Sequence, residues 1–363
     1  MPYKLFVFGS NGEGQLGISS QDIVHSPVLA PSWPAEHNIA AVCSGDNHTL
    51  FYTSSGKIYG AGDNSKGQLG IIPNKSAERK RVEGFEELYG SLHFCAATCE
   101  SSAYITNISM FGGVQEGVLS VEGTSHWGEL GTPDVKSTEG QPREQFQQTL
   151  PDAAIDLAAG GWHYITILSN GEVWGWGKSR LDQLGSKLSS QQKVVRPTRL
   201  DEAIPFKPVK VICGKEFTYL ASTPAEGKHY LLGRDKSGLR TSMPSHIKDW
   251  KTIGATWHAI FVLFEDGNLV AWGKDNLWKL VPEGLPSIEQ IAVGSEHILA
   301  LTKDGTLISW GWGKHGNCGD LTKLEAEIKN DMVSGLWNNI NIPGNISFIG
   351  AGFCTSYVLV ETA

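Results

Sequence analysis

The chain has 363 residues, among them 43 glycines and 12 tryptophans, and carries a formal net charge of -8. That glycine content, without a three-residue period or high polarity, excludes collagen-like and disordered classes. The acidic balance argues against broad phosphate-backbone binding, which needs a clustered cationic face to release counterions.

The first element is a short strand, Leu5-Phe6-Val7-Phe8. It is too short and begins too directly for a secretory leader, and no apolar run approaches membrane-spanning length, so a soluble protein is expected. The strand runs into Gly9-Ser10-Asn11-Gly12-Glu13-Gly14-Gln15-Leu16-Gly17, a nine-residue pattern that recurs from Gly62 to Gly70, Gly123 to Gly131, Gly177 to Gly185 and Gly311 to Gly319. Each copy opens and closes on glycine. The middle glycine is Gly14, Gly67, Gly128 or Gly316, with Asp182 in its place in the fourth copy, and eroded copies start at Gly233 and Gly273. After the first copy, Ser26-Pro27-Val28-Leu29 suits an outer edge strand, where the missing proline N–H costs no ladder bond; Arg196-Pro197-Thr198-Arg199-Leu200 repeats the theme.

A second signature precedes every copy but the first and appears once more after the last. Its best form is Gly-x-x-His, at Gly45 to His48, Gly160 to His163 and Gly294 to His297; Glu100, Phe217, His258 and Thr355 take the histidine place elsewhere. Between the two signatures lie Ser55-Gly56, Asn170-Gly171, Asp266-Gly267 and Asp304-Gly305, dipeptides that supply the positive φ of tight hairpin turns.

Three stretches interrupt the repeat. From Asn74 to Glu87, the cluster Lys75, Arg79, Lys80 and Arg81 followed by Glu83, Glu86 and Glu87 reads as a solvated surface loop. The third repeat is the most eroded: Cys95-Ala96-Ala97-Thr98-Cys99-Glu100 replaces glycine and histidine, and Thr132 to Gln148 reads as a long polar loop. Cys95 and Cys99 lack the second Cys or His pair that a zinc site needs, so they read as core cysteines; all six cysteines, without any Cys-x-x-Cys, read as reduced thiols of an intracellular chain. Beyond Gly319, the apolar residues Leu321, Leu324 and Ile328 follow helical spacing, which predicts a short surface helix packed on the rest.

Successive histidine places are about 40 to 60 residues apart, the period of one four-stranded propeller blade. The first glycine motif has no strand of the second signature before it, whereas Ile346 to Val360 is such a strand with no motif after it. The two ends complete each other's blade. The expectation is an all-β, seven-bladed β-propeller, a single domain over 1–363, with 1–33 and 345–363 together forming the closing blade and removing open strand edges.

Chemistry is not legible. The glycine motif continues into Gln15, Gln68, Glu129 or Asn317 where a phosphate loop needs Lys and then Ser or Thr, and neither a nucleophile elbow nor a His-Glu-x-x-His helix is present. No catalytic, cofactor or metal residues are assigned, and an enzyme is not expected. The recurring histidines His48, His163, His258 and His297 read as structural groups that hydrogen-bond the neighbouring blade, rather than as a catalytic or metal-binding ring.

Strands of the form Gly-x-x-His-x-x-x-Leu, leading through a tight turn to Trp-Gly-x-x-x-x-Gly-Gln-Leu-Gly, resemble the regulator of chromosome condensation family. The likeness covers the whole chain and concerns the fold more than the activity. The opening Val7-Phe8-Gly9-Ser10-Asn11-Gly12 and the stretch Trp310 to Gly319 are similar to the branch typified by fungal alpha-tubulin suppressors and killer-toxin-insensitivity proteins. That resemblance implies a scaffold without chemistry of its own, cytoplasmic and nuclear, in a heterodimer with a small zinc-finger-like, iron-binding electron carrier of the diphthamide pathway. The pair would support diphthamide formation on a translation elongation factor and Elongator-dependent modification of wobble uridines in transfer RNA, with any metal on the partner. Contacts are expected from Trp162, His163, Lys215, Phe217, Trp257, His258, Trp312 and His315, large side chains where the family would carry small ones. For Trp162 and Trp257, wedge packing between blades is an equal alternative; for Trp174, Trp176, Trp272 and Trp310, on strands, wedge packing is the expectation. The founding member of the family is a nucleotide exchange factor for a small GTPase, so exchange activity is the alternative function, with a ubiquitin-ligase or cytoskeletal adaptor behind it.

Overall fold

The computed structural model describes residues 2–70, 79–109, 113, 115–132 and 147–362. They form seven antiparallel sheets. From the central axis outward, blade 1 contains Asn345–Ala351, Thr355–Glu361, Tyr3–Ser10 and Ile23–Leu29. Blade 2 contains Ile39–Ser44, His48–Thr53, Ile58–Asp63 and Arg81–Tyr89, and blade 3 contains Phe94–Ala97, Ser101–Ser109, Gln115–Gly123 and Gln147–Leu150. Blade 4 contains Ala154–Ala159, His163–Leu168, Val173–Lys178 and Lys193–Arg199. Blades 5 and 6 have three strands each: Lys210–Cys213, Thr218–Ala221 and His229–Leu232, then Trp250–Ala255, Ala259–Phe264 and Leu269–Gly273. Blade 7 contains Ile288–Val293, His297–Thr302, Leu307–Trp312 and Met332–Ile340. The seven-bladed propeller is therefore present, and its ring is closed by the pairing of Tyr3 to Gly9 with Glu361 to Thr355.

The glycine motif is a double turn that carries the chain from the third strand of a blade to its outer strand. In the first copy Gly14 N–H donates to the Asn11 carbonyl and Gly17 N–H to the Gly14 carbonyl; Asn64, Gly67 and Gly70 repeat this in the second. Its glutamine belongs to the turn as well. Gln15, Gln68 and Gln183 each accept the backbone N–H two residues earlier at 2.8–3.0 Å, and Glu129 does the same for Trp127. Opposite the opening glycine the outer strand places a buried valine in four blades: Val24 beside Gly9, Val82 beside Gly62, Val194 beside Gly177 and Val333 beside Gly311. Where the motif is eroded, after Gly233 and Gly273, the chain does not turn back in register and the fourth strand is missing.

The Gly-x-x-His signature is equally mechanical. An added Cβ on Gly45, Gly160 or Gly294 would lie 2.2 Å from the Cε1 of His48, His163 or His297, so the imidazole occupies the space a side chain would need. Folded there, each ring bonds the next blade through Nε2: His48 to Ser102 Oγ, His163 to Thr218 Oγ1 and His297 to Ser356 Oγ, at 2.9, 3.1 and 2.9 Å. Backbone bonds between adjacent turns reinforce the junctions, running from Asp46 to Cys99, Cys99 to Gly161, Gly161 to Lys215, Lys215 to Trp257, Trp257 to Ser295 and Ser295 to Gly352.

Trp176 and Trp310 are fully buried wedges, each donating its indole N–H across a blade junction, to the carbonyls of Glu129 and Leu280 at 2.8 Å. Such a ring brings 150–250 Å² of apolar surface out of water while keeping its one donor satisfied. Trp272 is also buried, whereas Trp174 is half-buried and bonds Glu172 at 3.0 Å.

Two expectations from the sequence are corrected. The charged stretch is not simply a solvated loop: Arg81–Tyr89 is the outer strand of blade 2, with Arg79 on Glu86 at 2.6 Å and Arg81 Nε on Glu13 at 3.0 Å. Lys75 lies outside the described residues, as do residues 133–146 of the polar stretch, whose end belongs to the outer strand of blade 3. The expected helix after Gly319 is only a 3-10 turn at Thr322–Leu324, although Leu321, Leu324 and Ile328 do pack against the core of blades 6 and 7. Asn330 and Asp331 adopt positive φ directly afterwards and turn the chain into the outer strand before a helix can extend.

Candidate functional site

The inner strands of all seven blades line a central channel of ≈ 490 Å³, walled mainly by small and apolar residues such as Ala41, Ala158, Val293 and Ala351. Because His48 pairs with Gly62, His163 with Gly177 and His297 with Gly311, the Gly-x-x-His turns and the glycine-motif turns emerge on the same end of the propeller. One face therefore collects the variable positions of both signatures around the channel mouth.

On that face a run of cations and indoles crosses blades 3 to 6. Arg180 stacks over Trp127 at 5.3 Å; Lys178 Nζ lies 5.3 Å from the Trp127 ring and 4.6 Å from Trp162; Lys215 Nζ lies 5.7 Å from Trp162 and 4.2 Å from Trp257. Trp257 in turn meets Phe353 of blade 1 edge-on at 5.6 Å. Each cation–π contact contributes about 0.5–2 kcal/mol, more as water is excluded. Together they brace broad, partly buried aromatic side chains on this face. Lys178 is nearly buried and bonds Glu216 at 3.0 Å; burial pushes the Glu216 carboxyl up, but Lys178 and Lys236 outweigh it and leave it below the ordinary carboxylate range. Across the mouth, burial raises the carboxyls of Asp46 and Glu296.

Of the expected contact residues, Trp162, Lys215, Trp257 and His258 come together here, each only partly buried. Burial, then Lys274 and Lys215, push the His258 imidazole down, so it presents a neutral ring. His163 and Phe217 are corrections. They are buried, with 0% and 4% of their surface exposed, because both are the blade-junction group of the Gly-x-x-His signature, and the Phe217 ring lies against Gly214 as the histidines lie against their glycines. Trp312 and His315 pack edge to face at 5.2 Å on blade 7, and no ring or cation–π contact among the described residues joins them to the run. Sequence reasoning missed Trp127, Lys178, Arg180 and Phe353. The signal was available: Trp127 and Arg180 sit inside the third and fourth motif copies and Phe353 inside the last Gly-x-x-x turn, positions that the repeat register assigns to one face.

Nothing in this arrangement pairs a nucleophile with a base. His48, His163 and His297 are committed to blade junctions, whereas His258, expected to join them, lies one residue out of register, because Ala259 pairs with Gly273. Among the described residues no group of three or more His, Cys, Asp or Glu side chains is placed to hold a metal ion. The Cys95 thiol is instead buried 3.8 Å from Cys43 Sγ. Among the described residues no helix is long and apolar enough to cross a membrane.

Relatives agree with this architecture. The chain is 27% identical over 382 residues to an RCC1 repeat-containing protein of Schizosaccharomyces pombe, covering 98% of this chain and 99% of that one. It is 26% identical over 368 residues to the mouse secretion-regulating guanine nucleotide exchange factor, covering 88% and 76%. Among solved structures, human WBSCR16 matches with a TM-score of 0.75 at 17% identity over the full length of both chains, and Prp20p of Saccharomyces cerevisiae with 0.73 at 18% over 100% of this chain and 92% of that one. Residues 4–358 match the RCC1-like domain, and the chain belongs to that family.

Proposed function

We propose that this propeller is a docking scaffold without chemistry of its own, and that it holds a small zinc-finger-like, iron-binding protein of the diphthamide pathway on the face bearing Trp162, Lys215 and Trp257. The observation that carries the reading is the cation-braced aromatic run around the channel mouth. Partly exposed indoles at a rigid surface are among the side chains that anchor protein interfaces. The identity of the partner rests on the resemblance of the opening strand and of Trp310 to Gly319 to the fungal branch described above, as do the roles in elongation-factor diphthamide formation and Elongator-dependent transfer-RNA modification, and a cytoplasmic and nuclear location. A rigid face closing over a small metal protein alters solvent access to its iron, and through that its potential.

Pull-down of the full-length propeller with the purified small metal protein tests the reading. Stoichiometric complex formation is expected, and Trp257→Ala should weaken it about tenfold or more while leaving the fold intact. Normal binding by the variant, or no complex at all, overturns it. Exchange activity is the second reading, favoured by relatives named as a guanine nucleotide exchange factor; accelerated release of labelled nucleotide from a small GTPase would support it and reject the scaffold.

A further inference from the structure

Most cations cited on this face are paired. Lys178 and Lys236 bond Glu216 at 3.0 and 3.5 Å, Arg234 bonds Asp182 at 3.3 Å, and Lys66 bonds Glu100. Lys215 makes no ion pair among the described residues, although its ammonium is held between two indoles. Beside it, the Trp257 indole N–H is buried with no acceptor. Lys215 itself is only partly buried. Groups that face Lys215 are Asp46 and Glu296, whose carboxyls feel its charge without bonding it, and His258, which is pushed toward the neutral form. Arg180, at the far end of the run, is likewise without an ion pair among the described residues. On a chain of net charge -8, an aromatic run that carries two cations without ion pairs is locally complementary to an acidic surface.

We propose that Lys215, flanked by Trp162 and Trp257, receives a carboxylate of the docked protein, an Asp or Glu side chain that bonds its ammonium. This rests on the reading of the face as a docking surface and adds the chemistry of what enters it. The indoles exclude water from the pair, which is what makes a charge-assisted bond tight.

Lys215→Gln can keep the backbone bonds of residue 215 to Gly161 and Trp257, so its thermal melt should stay close to that of the wild type. Two probes keep the outcomes separate. With the small metal protein, Lys215→Gln should weaken binding at least tenfold and flatten its salt dependence, whereas Lys215→Arg retains both. With a glutamate-rich decapeptide, tryptophan fluorescence of the wild type should change on titration, that of Lys215→Gln should not, and a lysine-rich decapeptide should have no effect on either. If Trp257→Ala abolishes the complex while Lys215→Gln binds like wild type, the carboxylate site is wrong and the docking face stands. If the metal protein fails to bind but the acidic peptide responds through Lys215, the partner is wrong and the site stands. Indifference of both probes to Lys215→Gln overturns the site.

Discussion

At the scale of single residues, the three junction histidines make a direct statement about pH. Burial pushes His48 down to about 4 and His163 and His297 to about 3, with Lys178 adding to the effect at His163. In the unfolded chain each titrates at its ordinary value near 6.5. Between that value and the folded one the unfolded chain binds more protons, so stability falls as pH falls, by about 1.4 kcal/mol per pH unit for each histidine. The contribution is complete above pH 6.5 and gone below the folded values. Denaturant melts from pH 7.5 down to 5 should show this decline, and His297→Asn should make it shallower. A profile as steep in the variant as in the wild type would contradict the assignment. The glycine that accommodates each ring is tested by Gly294→Ala, whose new methyl meets the imidazole at 2.2 Å and should cost about 1–3 kcal/mol in a thermal or urea melt.

At the scale of the element, the double turn decides whether a blade obtains its fourth strand. Gln183 is wholly buried and its Oε1 takes the Leu181 N–H at 2.8 Å; Gln183→Ala leaves that donor stranded and should cost about 1–3 kcal/mol. Hydrogen exchange should show the loss concentrated in Lys193–Arg199, the strand this turn delivers; uniform loosening of the molecule would argue against a local role. Glycine spacing was readable along the chain because it answers to φ and to close backbone approach, which leave one residue type as the solution. The stretch after Gly319 was misread for the opposite reason. Leu321, Leu324 and Ile328 bury an apolar face that a helix and a 3-10 turn share, and the difference lies in Asn330 and Asp331, whose positive φ the apolar period does not encode. His163 and Phe217 were misassigned as contacts because size was weighed above register: their place in the signature already committed them to the junction.

At the scale of the whole molecule, the ring is closed through the first strand, and Tyr3–Ser10 separates the outer strand of blade 1 from Thr355–Glu361. Deleting residues 1–10 exposes a long edge on Thr355–Glu361 whose side chains are nearly all buried in the intact ring. The truncated protein should aggregate on concentration, read by light scattering, whereas the intact chain stays monodisperse. Seven similar units and their closure were legible because repetition multiplies a weak signal. The docking face was legible only in part: the register put its positions at one end, but the bracing of Trp127, Trp162 and Trp257 by Lys178 and Lys215 comes from four different blades and has no trace in local spacing.

The same closure sets an order of events at the ribosome. Blades 2 to 7 are contiguous in the chain and can form as each one emerges, but Tyr3–Ser10 has to wait for Thr355–Glu361, made after all of them, before the ring can close. Until then the hairpin of Tyr3–Ser10 with Ile23–Leu29 keeps one edge unpaired, and the cell must keep that edge from finding another neighbour.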